Sequence, residues 1–184
     1  MKLNLGLIVI LLSLVSACKE DVLPKPKAML RLEYPAGKEG MLDTEHFSIK
    51  YNEMAKLKSE SNNSFTLDYP LMKGSIFINY KAVNGNLDKL LTDAQKLSYE
   101  HVVKADGIYE EPVVNEPYKV YGMYYEVKGN AASQSQFYVT DSTKHFVTGS
   151  LYFYAKPNYD SILPAAVHLQ KDIRKIIESL RWKE

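Results

Sequence analysis

"VYGMYYEVKGNAASQSQFYVTDSTKHFVTGSLYF", residues 120–153, reads as three consecutive strands. Residues 118–127 place Tyr121, Met123, Tyr125 and Val127 on one side of an extended chain. Residues 134–140 do the same with Phe137 and Val139, and 145–154 return with Val147, Leu151 and Phe153. A period of two is that of a strand, whose successive side chains point to opposite faces. Asp141-Ser142-Thr143-Lys144 has the composition of a turn, because short polar side chains there bond their own backbone. A connection that short joins antiparallel neighbours. The sequence thus predicts a two-stranded antiparallel hairpin over 134–154.

The pattern extends upstream. Leu30, Leu32 and Tyr34 alternate with Arg31 and Glu33, a short strand ended by Pro35, and residues 36–41 read as a glycine-containing loop. Phe47, Ile49 and Tyr51 mark another strand, 55–58 a brief one, and Phe65, Leu67 and Tyr69 a third. Residues 70–74 turn the chain, and 75–83 return with Ile76, Ile78, Tyr80 and Ala82 on one side. After Asn84-Gly85-Asn86 the period changes. Leu87, Leu90, Leu91, Ala94, Leu97 and Val102 share one helical face to about Lys104, with Asn86 as N-cap and Asp88 at the positive helix start. Downstream, a last helix starts near Asp160 or Ser161 with Pro164 in its first turn. Its stripe is Ile162, Ala166, Leu169, Ile173, Ile176 and Leu180. Strands, helix, strands, helix predict one α+β domain: a mainly antiparallel sheet with two principal helices packed on it. Polar residues at alternate strand positions imply that the helices cover only part of that sheet.

The N-terminus reads differently. Lys2 precedes an apolar run, 5–15, broken only by Gly6 and Ser13. That run is shorter than the roughly 20 residues a membrane span needs and fits the apolar core of a secretory signal. Leu14-Val15-Ser16-Ala17-Cys18 resembles a bacterial lipobox, and Cys18 is the only cysteine. The resemblance implies a thiolate nucleophile alkylated with diacylglycerol, cleavage before Cys18, and acylation of the new amino terminus by a fatty chain such as palmitate. The bland alternative is a buried cysteine closing a membrane helix, which the short run and its flanks disfavour. The expected organisation is a signal peptide over 1–17, a lipidated tether over 18–28 stiffened by Pro24 and Pro26, and a single α+β domain over 29–184.

Composition limits the chemistry. Cleavage leaves 167 residues of nearly zero formal charge, enough for one packed domain and no electrostatic footprint for nucleic acid. Fourteen tyrosines fall mostly in alternating segments, where strands hold half-buried aromatics. Those at 121, 124, 125, 152, 154 and 159 could form a stacking platform but read better as cross-strand packing. Ser133, Asp141 and His145 tempt as a hydrolase triad, yet Ser133 lacks a G-x-S-x-G elbow and Asp141 suits a turn. His46, His101, His145 and His168 have no metal-ligand spacing, so surface or partly buried histidine is expected. Glu110, Glu111 and Glu116 surround Pro112 and Pro117 and read as solvated carboxylates on a loop. No catalytic residue, metal ligand, cofactor or small-molecule substrate is expected.

Several long stretches carry a more specific likeness. "LSYEHVVKADGI" (97–108), the 120–153 stretch, "IIESLRW" (176–182), "PKPKAMLRLEYP" (24–35) and "YPLMKGSIFINYK" (69–81) together resemble the gliding-motility lipoprotein GldD family of Bacteroidota. The family start is often richer in arginine and glycine where this chain has Lys27-Ala28-Met29. The resemblance implies a non-enzymatic envelope component or assembly factor of the gliding and type IX secretion machinery. Its partners would be the membrane, through the lipid, and other gliding and secretion proteins. The order of elements is also similar to PsbP/Mog1-like domains, a likeness of fold alone. Lys19-Glu20-Asp21 resembles a surface-export signal of Bacteroidota lipoproteins and equally reads as a charged, solvated tether. Either favours the outer membrane, with the leaflet open. The alternative function class is an envelope lipoprotein that binds a ligand or acts as an enzyme. A deep polar pocket with converging titratable groups would favour it, and an exposed apolar patch the first.

Several acyl chains at Cys18 would make attachment effectively permanent, since each buried methylene contributes about 0.8 kcal/mol. Cys18→Ala is expected to move the protein from the membrane to the soluble fraction with its folded domain intact. Fractionation with intact-mass measurement checks this; a wild-type chain without added lipid would contradict it.

Overall fold

The computed structural model describes residues 34–61, 63–100, 105–154 and 158–184. The signal peptide, Cys18 and its tether, most of the strand expected over 30–34, His101 and the expected helix end at 101–104 lie outside the described residues. Ten strands and two α-helices are described. They are β1 (Glu39–Asp43), β2 (Phe47–Asn52), β3 (Lys56–Ser61), β4 (Ser64–Tyr69), β5 (Gly74–Ala82), α1 (Leu87–Tyr99), β6 (Gly107–Asn115), β7 (Val120–Lys128), β8 (Ser133–Thr140), β9 (His145–Phe153), α2 (Tyr159–Ser179) and β10 (Arg181–Trp182).

Two antiparallel sheets result. The large one runs β3-β4-β5-β9-β8-β7-β6 and the small one β1-β2-β10. The expected hairpin is there: Thr140 pairs with Phe146, Val139 with Val147 and Phe137 with Gly149. Asp141 makes its turn. One carboxylate oxygen, Oδ1, accepts the backbone N–H groups of Thr143, Lys144 and His145 at 3.0, 2.8 and 2.8 Å. Burial alone would raise this carboxyl, but those N–H groups outweigh it and hold its pKa at about 2.

Both faces of the large sheet are covered. On one side Leu67, Ile76, Ile78, Phe137, Val139, Val147 and Leu151 pack with Leu169, Ile173 and Ile176 of α2 and with Phe47 and Ile49 of β2. On the other, Leu90 of α1 packs on Tyr125, Tyr138 and Phe146. The sheet is therefore less open than the alternation implies, and every residue of β8 is buried, polar ones included. Some of the buried polar atoms find partners: Ser98 Oγ donates to Gln136 Oε1 at 3.0 Å, and Gln134 Nε2 to the Ala131 carbonyl at 2.9 Å, while Gln134 Oε1 and Gln136 Nε2 have none. Phe137 lies across Gly149, where an added Cβ would meet the ring at 2.0 Å.

Other expectations change in detail. The loop expected over 36–41 includes the start of β1, and the proline-marked loop around Glu110 is β6, an edge strand. Pro112 is tolerated there because an edge leaves one N–H row unpaired. In α1 Leu97 is exposed and Ser98 takes the buried place. Asn86 holds the N-cap position, but its Oδ1 accepts from the Asn84 N–H instead of the helix. Helix α2 begins two or three residues early, after Asn158, so Pro164 lies inside it and forfeits one helical hydrogen bond.

Ile173 is fully buried. Ile173→Ala is expected to lower stability by about 2–5 kcal/mol, read by thermal or urea unfolding. Asp141→Ala is expected to cost about 1–3 kcal/mol at neutral pH, the penalty of leaving bonded N–H groups unmatched. The folded-state pKa lies below the ordinary 3.8, so the carboxylate's contribution is complete above pH 4 and is lost as pH falls toward 2. Wild type and variant should therefore converge in acid, which urea titrations at several pH values would check.

Candidate functional site

The tempting triad does not assemble. Ser133 starts β8 and Asp141 follows its end, about 25 Å apart along an extended strand. Ser133 Oγ donates to the Ser135 carbonyl at 3.1 Å, and the Asp141 carboxylate is spent on its own turn. His145 Nδ1 lies 3.0 Å from the Tyr80 hydroxyl, and its ring stacks on Trp182 at 5.2 Å between centroids. Burial, then His46 and Lys144, lower the His145 pKa against the opposing pull of Asp141, which favours the neutral ring. His46 stacks on Tyr80 at 4.1 Å. Trp182 donates its indole N–H to the Lys119 carbonyl at 3.0 Å, and Arg181 lies over the Tyr118 ring. These contacts fasten β10 and the small sheet to the ends of β5 and β9.

The acidic residues of β6 are not simply solvated. Glu111 pairs with Arg174 of α2, whose Nη2 reaches Glu126 Oε1 at 2.8 Å while its guanidinium stands 4.4 Å from the centre of the Tyr124 ring. Glu110 accepts a hydrogen bond from the Tyr99 hydroxyl. Glu116 sits in the one-turn 3₁₀ connection between β6 and β7. The tyrosines divide as cross-strand packing predicts: Tyr124 is buried on one face and Tyr125 on the other, against Tyr138. Among the described residues no three His, Cys, Asp or Glu side chains gather as a metal site.

What sequence reasoning missed is a cleft of about 280 Å³ between the segment entering β1, the end of β2 and the middle of α2. Its floor is Asp172, only 4% exposed. The carboxylate accepts from Asn52 Nδ2 at 3.1 Å and faces His168 Nε2 at 3.8 Å, too far for a hydrogen bond. Asn52 is held in turn, because its Oδ1 accepts the Met54 N–H at 3.0 Å. The chain can cross Asn52 only because residue 37 is glycine: a Cβ there would stand 1.7 Å from Asn52 Oδ1. His168 Nε2 is buried without a hydrogen-bond partner, and the hydroxyl of Tyr69 is buried against the Asp172 carboxylate. Burial first, and the Asp172 charge second, push the Tyr69 phenol far above its ordinary range.

Tyr34 and Tyr51 form walls, and Tyr34 meets His168 edge-on at 5.3 Å. Lys38, Lys50, Lys171 and Lys175 ring the mouth. Lys50 is matched by Glu39 at 2.7 Å. Lys38, Lys171 and Lys175 make no ion pair among the described residues. A buried acceptor below and free ammonium groups above can hold a polar ligand that carries hydroxyls at one end and negative charge at the other.

No curated protein matches this chain. A protein-family model described as "Gliding motility lipoprotein GldD" matches residues 19–182. That span takes in every described strand and both helices, from before β1 to the last residue of β10. The chain therefore belongs to the gliding motility lipoprotein GldD family, whose members are membrane-anchored proteins of the cell envelope.

Proposed function

We propose that this protein is a non-enzymatic component or assembly factor of the gliding machinery, anchored through Cys18 to the outer membrane and working with the type IX secretion apparatus. The observation that carries the reading is the family match from residue 19 to residue 182, which begins one residue after the lipobox cysteine. The non-enzymatic part draws support from the polar groups that first suggested catalysis. Ser133, Asp141 and His145 are engaged in local hydrogen bonds, a turn and ring stacks that hold the fold. Partners are other gliding and secretion proteins. A second reading, an envelope lipoprotein that binds a small ligand, is favoured by the cleft over Asp172. It is compatible with the first.

Removing the gene from cells is expected to abolish spreading motility and the release of type IX cargo, and the wild-type copy to restore both. Colony spreading and the protein content of the culture medium are the measurements. Normal motility in the deletion strain would overturn the proposal, and lost motility with normal cargo release would confine the role to gliding.

A further inference from the structure

We propose that the cleft over Asp172 is a binding site for an anionic sugar, a saccharide unit bearing phosphate or carboxylate. Three features converge on that chemistry. The floor is a buried acceptor: Asp172 is almost fully buried, takes a hydrogen bond from Asn52 at 3.1 Å and has His168 beyond hydrogen-bond reach. Buried polar atoms normally find partners, and those left without one call for an explanation. The unpartnered atom here, His168 Nε2, lies against this one carboxylate, as does the Tyr69 hydroxyl. A sugar hydroxyl supplies what is missing, because it donates to the carboxylate and accepts from its neighbours.

The mouth asks for the opposite charge. Lys171 and Lys175 stand one turn apart on α2, and like charges at that spacing repel. With Lys38 across the cleft they concentrate positive charge, and none of the three is in an ion pair among the described residues. Phosphate or carboxylate would relieve that repulsion through charge-assisted hydrogen bonds. The walls, Tyr34 and Tyr51, are aromatic surfaces suited to the apolar face of a sugar ring. The cleft's volume lies at the small end for ligand pockets, so it suits one sugar-sized unit.

An acidic peptide fits less well, since it offers Asp172 only backbone N–H donors, whereas each sugar hydroxyl both donates and accepts. The sugar has two possible sources, a soluble metabolite and the phosphorylated headgroup of a membrane glycolipid. Tyr34 lines the cleft sixteen residues after Cys18. With the anchor proposed above, a fully extended tether holds the cleft within about 55 Å of the bilayer, so both sources are in reach.

The test is calorimetric titration of the full protein as produced in cells, in non-ionic detergent, with five probes: glucose 6-phosphate, glucose, inorganic phosphate, a hexaglutamate peptide and lipid A. Glucose 6-phosphate is expected to bind at least about tenfold more tightly than glucose, phosphate or hexaglutamate. The double variant Lys171→Gln/Lys175→Gln, whose exposed side chains leave the core untouched, is expected to weaken binding by at least about tenfold. Asp172→Asn should weaken it too, and the lysine variant keeps the test intact if that buried substitution fails to fold. Binding of lipid A alone, with the same sensitivity to the lysine variant, supports the site and identifies the membrane as source. Phosphate or hexaglutamate binding as tightly as glucose 6-phosphate, affinity unmoved by the lysine substitutions, or no saturation by any probe would each overturn the proposal. None of these results depends on the gliding role or on Cys18.

Discussion

The pairing of β5 with β9 makes this one domain. Nine residues of each strand are in register, from Gly74 with Phe153 to Ala82 with His145. The chain otherwise forms two local antiparallel runs, β3-β4-β5 and β6-β7-β8-β9, each built from successive hairpins. Their union has to be made across a long sequence separation, at the loop-closure cost such contacts carry. Once made, it dictates the connections. The chain leaves β5 in mid-sheet and must reach the far edge to begin β6, so α1 crosses one face on the way. Helix α2 leaves β9, also in mid-sheet, and covers the opposite face before β10 joins the small sheet.

That arrangement explains which parts of the fold were legible in the sequence. The 120–153 strands and the stripe of α2 are encoded locally, by alternation and by three-or-four spacing, and both are found. The identity of β5 and β9 as partners is not local, and no periodicity reveals it. Two edge elements, β6 and β10, also escaped, for physical reasons. β6 faces solvent along one side and accepts Pro112 and two glutamates, which makes it look like a loop. β10 is two residues long, too short to have a period, and exists because β2 lies beside it. β8 looked half-exposed because its alternate residues are polar, whereas two covered faces bury them all.

The cleft was hidden for a related reason. Tyr34, Asn52, His168 and Asp172 come from three distant segments. One local signal was present. Asp172 follows Leu169 by three positions and precedes Ile176 by four, so a charged residue sits on the apolar face of α2. Burying a charge is expensive unless it is paired and hydrogen-bonded, and a carboxylate in that register marks either a buried network or a site. By contrast, Ser133, Asp141 and His145 were conspicuous only through proximity in sequence. Proximity along a strand is separation in space.

Helix α2 carries several tasks on separate faces. Leu169, Ile173 and Ile176 close the large sheet, Arg174 ties the helix to β6 and β7 through Glu111 and Glu126, and Asp172 with His168 floors the cleft. The residues after it, Arg181 and Trp182, fasten the small sheet. A change on the apolar face therefore disturbs all of these together, and any motility defect it produces reports the amount of folded protein. Lys171 and Lys175 project from the same helix without entering its packing. Their replacement can alter what the cleft attracts while the sheet stays sealed, so stability and surface chemistry are separable on one helix.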